Sequence, residues 1–403
     1  MKKIEGGVCA AKGFLASGVH CGVRRNKTKK DLALIYSPEK CAAAACYTLN
    51  RVQGAPIAVT KRNISDGWAR AMLCNSGNAN TCNFDGEEIA EAMCRMAADA
   101  LKIDRTDVII ASTGVIGQRL SLEPFQSGIP AAAAALGPDH LSAAEAIMTT
   151  DTRPKEAAVE FELGGKPCRI GGMAKGSGMI HPNMATMLVF LTTDAAISPE
   201  MLRRALKETV DATFNMVSVD GDTSTNDTCA VMASGLAGNP RIEAPGADYE
   251  VFQRALFEVT RALSRMIAGD GEGATKLLTC AVSGAKDVQT ARIAAKAVIC
   301  SSLVKAAMFG SDANWGRVLC ALGYCGAEID VDRVDVDFVS GAGEVAVCRN
   351  GAGVEFLEEI AKRVLSESEV VIRVQLNSGE AQAEAWGCDL SYDYVKINGD
   401  YRT

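Results

Sequence analysis

The sequence predicts an α+β fold, and three observations carry that expectation. Short apolar runs bounded by glycine and polar turns read as buried strands, most clearly at 108–111 and 187–193. Two long stretches, 87–101 and 247–268, repeat apolar residues at helical spacing. The last part of the chain alternates strands (332–339, 343–349, 369–376, 381–387) with one helix near 354–366.

In chain order, residues 1–60 read as short strands and turns, including 32–36. A strand at 70–74 runs into NSGNAN at 75–80, which suits a plain turn and a functional loop equally well. The strand at 108–111 ends in Ser112-Thr113-Gly114. A Thr-Gly turn offers backbone N–H groups beside a hydroxyl, the material of an oxyanion hole. Residues 121–148 read as helical, with His140 exposed, and lead to the hydroxyl cluster MTTDT. A hairpin follows, 157–163 and 168–172, turning at Gly164-Gly165. It feeds residues 171–193, GGMAKGSGMIHPNMATMLVFLTT, a glycine loop with one cation, Lys175, before a buried strand.

Beyond that strand, Ser198 and Pro199 open a helix as N-cap and first residue. VSVDGDTSTND at 217–227 lacks the ligand order of an EF-hand and reads as a turn that binds backbone N–H groups. A strand at 228–234 and the 247–268 helix lead to GDGEGATK, where Glu272 sits between glycines. The next strand is 277–282, and residues 287–323 read as helical with a break at 310–314. No internal repeat or linker divides the chain.

Composition excludes several function classes. The 403 residues are 48% hydrophobic and 23% charged, a globular balance. Net charge is -7, and the basic run RRNKTKK at 24–30 is short, so nucleic acid and acidic membranes are disfavoured partners. No apolar run approaches the ~20 residues of a membrane span. The start, MKKIEGGVCAAKGF, has no signal-peptide core, so a cytoplasmic protein is expected. The 15 cysteines include no Cys-x-x-Cys pair and are expected to be reduced, buried thiols rather than metal ligands.

Histidine is scarce: only His20, His140 and His181 are present. A hydroxyl nucleophile here needs some other base. Thr186, at the head of the strand after Ala185, is the position where a flexible loop meets a fixed backbone.

Taken together, AMLCNSGNAN, ASTGVIGQ, MTTDT, AKGSGMIHPNMATML, VDGDTSTND, GDGEGATK, MFGSDANWGR and INGDYRT resemble, in order, the ornithine acetyltransferase (glutamate N-acetyltransferase) family of the cyclic arginine pathway. The resemblance spans essentially the whole chain. It implies an N-terminal-nucleophile-like αββα sandwich and self-cleavage between Ala185 and Thr186. The products would be an α chain, 1–185, and a β chain, 186–403, assembled as a heterotetramer of two of each.

By position, Thr186 is implied as nucleophile and Thr113 with Gly114 as the oxyanion hole. Thr149, Lys175, Thr186, Glu272, Asn398 and Thr403 are implied as substrate-binding residues. The implied reaction moves acetyl from N2-acetylornithine to glutamate, without metal or cofactor. Acetyl-CoA is a second acetyl donor for some members, and no residue in the sequence decides that point. A free Thr186 amine, with a pKa near 7.7–8.0, would replace histidine as base. Two other readings stay open at this stage: a self-cleaving amidohydrolase or aminopeptidase of the same fold, and an uncleaved ligand-binding protein.

Overall fold

The computed structural model describes residues 1–181 and 187–399. The elements of the first half are β1 (Lys2–Ile4), β2 (Leu15–Val19), β3 (Leu32–Tyr47), α1 (Ala55–Asn63), β4 (Trp68–Asn75), α2 (Gly86–Leu101), β5 (Val108–Ser112), α3 (Glu123–Ala134), α4 (His140–Ile147), β6 (Lys155–Leu163) and β7 (Lys166–Lys175). There follow β8 (Leu188–Thr193), α5 (Pro199–Ala212), β9 (Val217–Ser218), β10 (Thr228–Ala233), α6 (Ala247–Gly269), β11 (Leu277–Ala285), α7 (Val288–Cys300), α8 (Ser302–Phe309) and α9 (Trp315–Gly323). The chain closes with β12 (Asp335–Ser340), β13 (Gly343–Arg349), β14 (Ala352–Gly353), α10 (Glu358–Leu365), β15 (Glu369–Gln375), β16 (Ala381–Cys388) and α11 (Tyr392–Asn398).

Among the described residues these strands form two mixed sheets, as the α+β expectation requires. The first has the order β1-β6-β7-β8-β10-β3-β4-β5, with β2 also paired to β3. The second runs β14-β13-β12-β15-β11-β16-β9. Near the middle of the first sheet, β8 lies antiparallel to β7, with Lys175 opposite Leu188, and parallel to β10, with Leu188 opposite Thr228. Every residue of β8 is buried, which is why it opens on four consecutive apolar residues, Leu188 to Leu191, rather than alternating.

The long β3 corrects the expectation of short strands in residues 1–60. It continues through Ser37-Pro38-Glu39-Lys40, and its register against β4 slips between Tyr36 and Cys41. Bulged strands bend. Accordingly Ala33, Ile35, Met72 and Cys74 share one core with Leu188, Phe190, Ala230 and Met232. The loop after β4 and the end of β5 meet the start of β10, where Asn226 donates to Ala79 O and Ser112 O. Helix α1 also goes beyond the sequence reading, because its core-facing positions carry few large apolar side chains. Residues 121–148 form two helices, with Gly137 and Pro138 lying in the break between them. His140 is half-buried against Glu156, at 2.9 Å, rather than exposed.

Helix α6 carries its buried stripe, including Phe252, Leu256, Val259, Leu263 and Ile267, between the two sheets. Arg261 pairs with Glu384 of β16 on one side, and Phe252 meets Phe161 of β6 on the other. Its last residue, Gly269, hands the chain to Asp270-Gly271-Glu272. No helix among the described residues is long and apolar enough to cross a membrane. All 15 cysteines are free, but Cys82 and Cys320 are exposed rather than buried.

Candidate active site

NSGNAN is a buried scaffold rather than a solvated turn: Asn75, Ser76 and Asn80 are fully buried. Asn75 Oδ1 accepts from Ser112 Oγ at 2.6 Å, and Asn75 O accepts from Thr113 N at 3.0 Å. The Thr113 N–H is therefore occupied. Thr113 and Gly114 both line the cavity described below, so the Thr113 hydroxyl and the Gly114 N–H are the groups of this pair that could serve an oxyanion. Gly114 has φ +131, and a Cβ there would lie 2.3 Å from the Gly77 carbonyl carbon. Only glycine fits. Asn226 clamps this corner to the start of β10, donating to Ala79 O at 2.5 Å and Ser112 O at 3.0 Å.

Lys175, at the end of β7, is buried, and its ammonium makes no hydrogen bond to a described residue. Burial pushes its pKa down, Asp151 opposes that, and nearby Lys155 adds to it. A ligand carboxylate would restore what the ammonium lost in leaving water. Beneath it lies an ion network that the sequence reading missed. Lys155 Nζ donates to Asp151 Oδ1 at 2.6 Å and to Asp270 Oδ2 at 2.5 Å. Asp151 also accepts from Gly176 N at 2.7 Å and Thr149 N at 2.9 Å, and Asp270 accepts from Thr152 N at 3.1 Å. Asp151 is buried, yet Lys175 and Lys155 together hold its carboxyl down at about 2. One buried cation thus fixes the Thr149 turn, the glycine loop and the Glu272 loop relative to one another. A lone lysine before a strand ordinarily reads as solvated, which is why no sequence signal marked it.

Glu272 is buried rather than a solvated loop acid. Its backbone N–H binds Ser177 O at 3.0 Å, and its carboxylate takes Asn398 Nδ2 at 2.7 Å. A Cβ at Gly178 would meet that carboxylate at 2.4 Å, so the glycine lets the loop lie flat on it. Asp220 of the VDGDTSTND turn accepts from Met179 N at 2.6 Å and Ile180 N at 2.8 Å, as the sequence reading expected of that turn. Asp227 is buried beside this strand, and desolvation raises its carboxyl well above the usual range.

These segments enclose a cavity of about 360 Å³. Thr113, Gly114, Thr149, Lys175, Glu272 and Asn398 all line it, so six of the proposed site residues converge from distant parts of the chain. Ala185, Thr186 and Thr403 lie outside the described residues. The cavity holds a cation and an acid, Lys175 and Glu272, the complement of a small amino acid with a free carboxylate and ammonium. No histidine lines it, and His181 engages Ser218 Oγ at 3.1 Å with its pKa pushed down to about 4 by burial and Lys296. No cluster of metal-ligating side chains occurs among the described residues.

A family model described as the ArgJ family matches residues 15–403. The chain belongs to the ArgJ family. Relatives named arginine biosynthesis bifunctional protein ArgJ include one from Symbiobacterium thermophilum, 54% identical over 406 residues, covering 100% of both chains. Another, from Caldanaerobacter subterraneus subsp. tengcongensis, is 51% identical over 405 residues, again covering 100% of each. A crystal structure of the ArgJ protein of Bacillus halodurans matches at 44% identity and TM-score 0.50, over 53% of this chain and 98% of that one.

Proposed function

We propose that this chain cleaves itself between Ala185 and Thr186, then transfers acetyl from N2-acetylornithine to glutamate through Thr186. By its family the chain is an acetyltransferase of arginine biosynthesis. The observation that carries the finer reading is the cavity itself. Two donors for a carbonyl oxygen, Thr113 and Gly114, share a small chamber with one cation and one acid.

In processing, the Thr186 hydroxyl attacks the Ala185 carbonyl, the peptide nitrogen leaves as the new amine, and water hydrolyses the resulting ester. In turnover, that amine accepts the hydroxyl proton as the oxygen attacks the acetyl carbonyl. The Thr113 hydroxyl and Gly114 N–H take the oxyanion, ornithine departs with the proton, and acetyl-Thr186 passes its group to the amine of glutamate. Lys175 binds the substrate α-carboxylate. Glu272, steadied by Asn398, takes the side-chain ammonium of ornithine, and Thr149 and Thr403 complete the binding set. The solved Bacillus halodurans chain corresponds to about half of this one, as a product of such a cut would.

The reading extends to a cytoplasmic heterotetramer of two 1–185 and two 186–403 chains, needing no cofactor. It includes acetyl-CoA as a second donor, which the word bifunctional in the relatives' names favours. Denaturing electrophoresis of active protein, with Thr186→Ala beside it, tests the proposal. Two bands are expected from the parent and one of 42.3 kDa from the inactive variant. Active parent protein running as one 42.3 kDa species refutes the cleavage. Ornithine release that does not depend on glutamate refutes the transfer.

A further inference from the structure

The basic run at 24–30 has no role in the transfer proposed above, yet the fold builds it with care. The buried Asp31 carboxylate lies inside this loop and accepts from Cys21 N at 2.6 Å, Gly22 N at 3.2 Å and Arg24 N at 2.9 Å. His20 adds a ring nitrogen 2.9 Å from Lys29 O. With its N–H groups gathered inward, the loop turns the side chains of Arg25 and Lys29 to the surface. Arg24 donates from its guanidinium to Met148 O, tying the loop to the turn that carries Thr149.

The loop walls a second cavity, of about 600 Å³. Arg24, Arg25, Lys29 and Arg119 line it, and no carboxylate among the described residues does, in a chain whose net charge is -7. Arg119 is fixed by Asp85 at 2.7 Å, and Arg25 and Lys29 make no ion pair with a described residue. Gly114 and Thr149 line this cavity as well as the catalytic one. The cleft therefore reaches Gly114, one of the two proposed oxyanion donors.

Its charge separates it from the amino-acid chamber. A diamino acid needs an acid for its ammonium, which the chamber supplies in Glu272 and the cleft lacks. A cleft with cations alone, wider than the chamber and opening onto an acyl-transfer centre, suits a large acyl donor whose carrier is a polyanion. We propose that this cleft binds the phosphates of a phosphorylated acyl-thioester donor and delivers its thioester carbonyl to Gly114. This inference rests on the proposed function, which names acetyl-CoA as that donor. In the step it serves, the acyl carbon–sulfur bond breaks as the ester bond to the Thr186 oxygen forms. The carrier leaves as the free thiol with the hydroxyl proton, so no oxidant or reductant is needed.

The test compares two reactions of the full protein: acetyl-CoA with glutamate, and N2-acetylornithine with glutamate. The variant is Arg25→Glu with Lys29→Glu, both exposed and outside the amino-acid chamber. Reversing two charges replaces attraction with repulsion, so KM for acetyl-CoA should rise about tenfold or more while the acetylornithine reaction stays within about twofold. Adenosine 3′,5′-bisphosphate should compete with acetyl-CoA in the parent and lose that effect in the variant. An unchanged KM for acetyl-CoA, or a rise confined to glutamate, overturns the inference. Inorganic pyrophosphate competing as well as the bisphosphate also overturns it, because the cleft would then hold free phosphates rather than a carrier. A parent that exchanges acetyl between acetylornithine and glutamate but neither binds nor turns over acetyl-CoA overturns the inference and leaves the proposed transfer standing. A parent with neither reaction refutes both.

Discussion

Lys155→Met probes the feature that holds the site together. Lys155 Nζ sits 2.6 Å from Asp151 and 2.5 Å from Asp270, and all three residues are buried. Removing the ammonium leaves two carboxylates without their shared cation in a medium of low dielectric. Breaking a buried ion pair by deleting one partner costs about 3–5 kcal/mol. Equilibrium urea unfolding at neutral pH should show a loss of that size. Adding Asp270→Asn removes one stranded charge and should return roughly half of it.

The pH dependence gives a second handle on the same network. The Asp151 carboxyl is held at about 2, below its ordinary 3.8. A folded pKa below the unfolded one contributes stability that is complete above about pH 4 and is lost as pH falls toward 2. That contribution is on the order of 2 kcal/mol. Without Lys155 the carboxyl rises, so acid sensitivity should begin at higher pH in the variant. Activity should fall with stability, because Asp151 positions Thr149 and Gly176 while Asp270 leads into Glu272. A Lys155→Met protein that loses less than about 1 kcal/mol at neutral pH and keeps its kcat would refute the reasoning.

Three further outcomes are expected. Gly114→Ala should lower kcat about 10²–10³-fold with little effect on KM, because the new Cβ meets the Gly77 backbone and displaces the proposed oxyanion donor; steady-state kinetics checks this. Lys175→Met should weaken ornithine binding by about 1.5–3 kcal/mol, the worth of a hydrogen bond to a charged group, read by calorimetry. Asp220→Ala strips two N–H groups of the glycine loop of their acceptor, at a cost of about 1–3 kcal/mol. It should slow self-cleavage in a pulse-chase gel while leaving the second sheet's hydrogen-exchange protection intact.

Strands and helices whose apolar residues repeat at one clear period were legible from residue order alone. The buried β8 and the striped α6 were legible because packing on one face, or on both, writes itself into the residue pattern. The loops holding Thr113, Lys175 and Glu272 were legible as motifs, since each needs glycine where backbone approaches backbone or side chain. That these loops meet is a property of the long-range fold. The register slip in β3 between Tyr36 and Cys41 lets one strand serve both halves of the first sheet, and such a slip leaves no period to read. Nor could the sequence distinguish Lys155 from a surface lysine, or NSGNAN from an open turn, because burial of a polar residue depends on partners far along the chain. Lys155 is worth its desolvation only once Asp151 and Asp270 stand beside it, and they are brought there by β6 and the end of α6. Local sequence fixes which groups are available for chemistry, and the long-range fold fixes which of them lose water and acquire a partner.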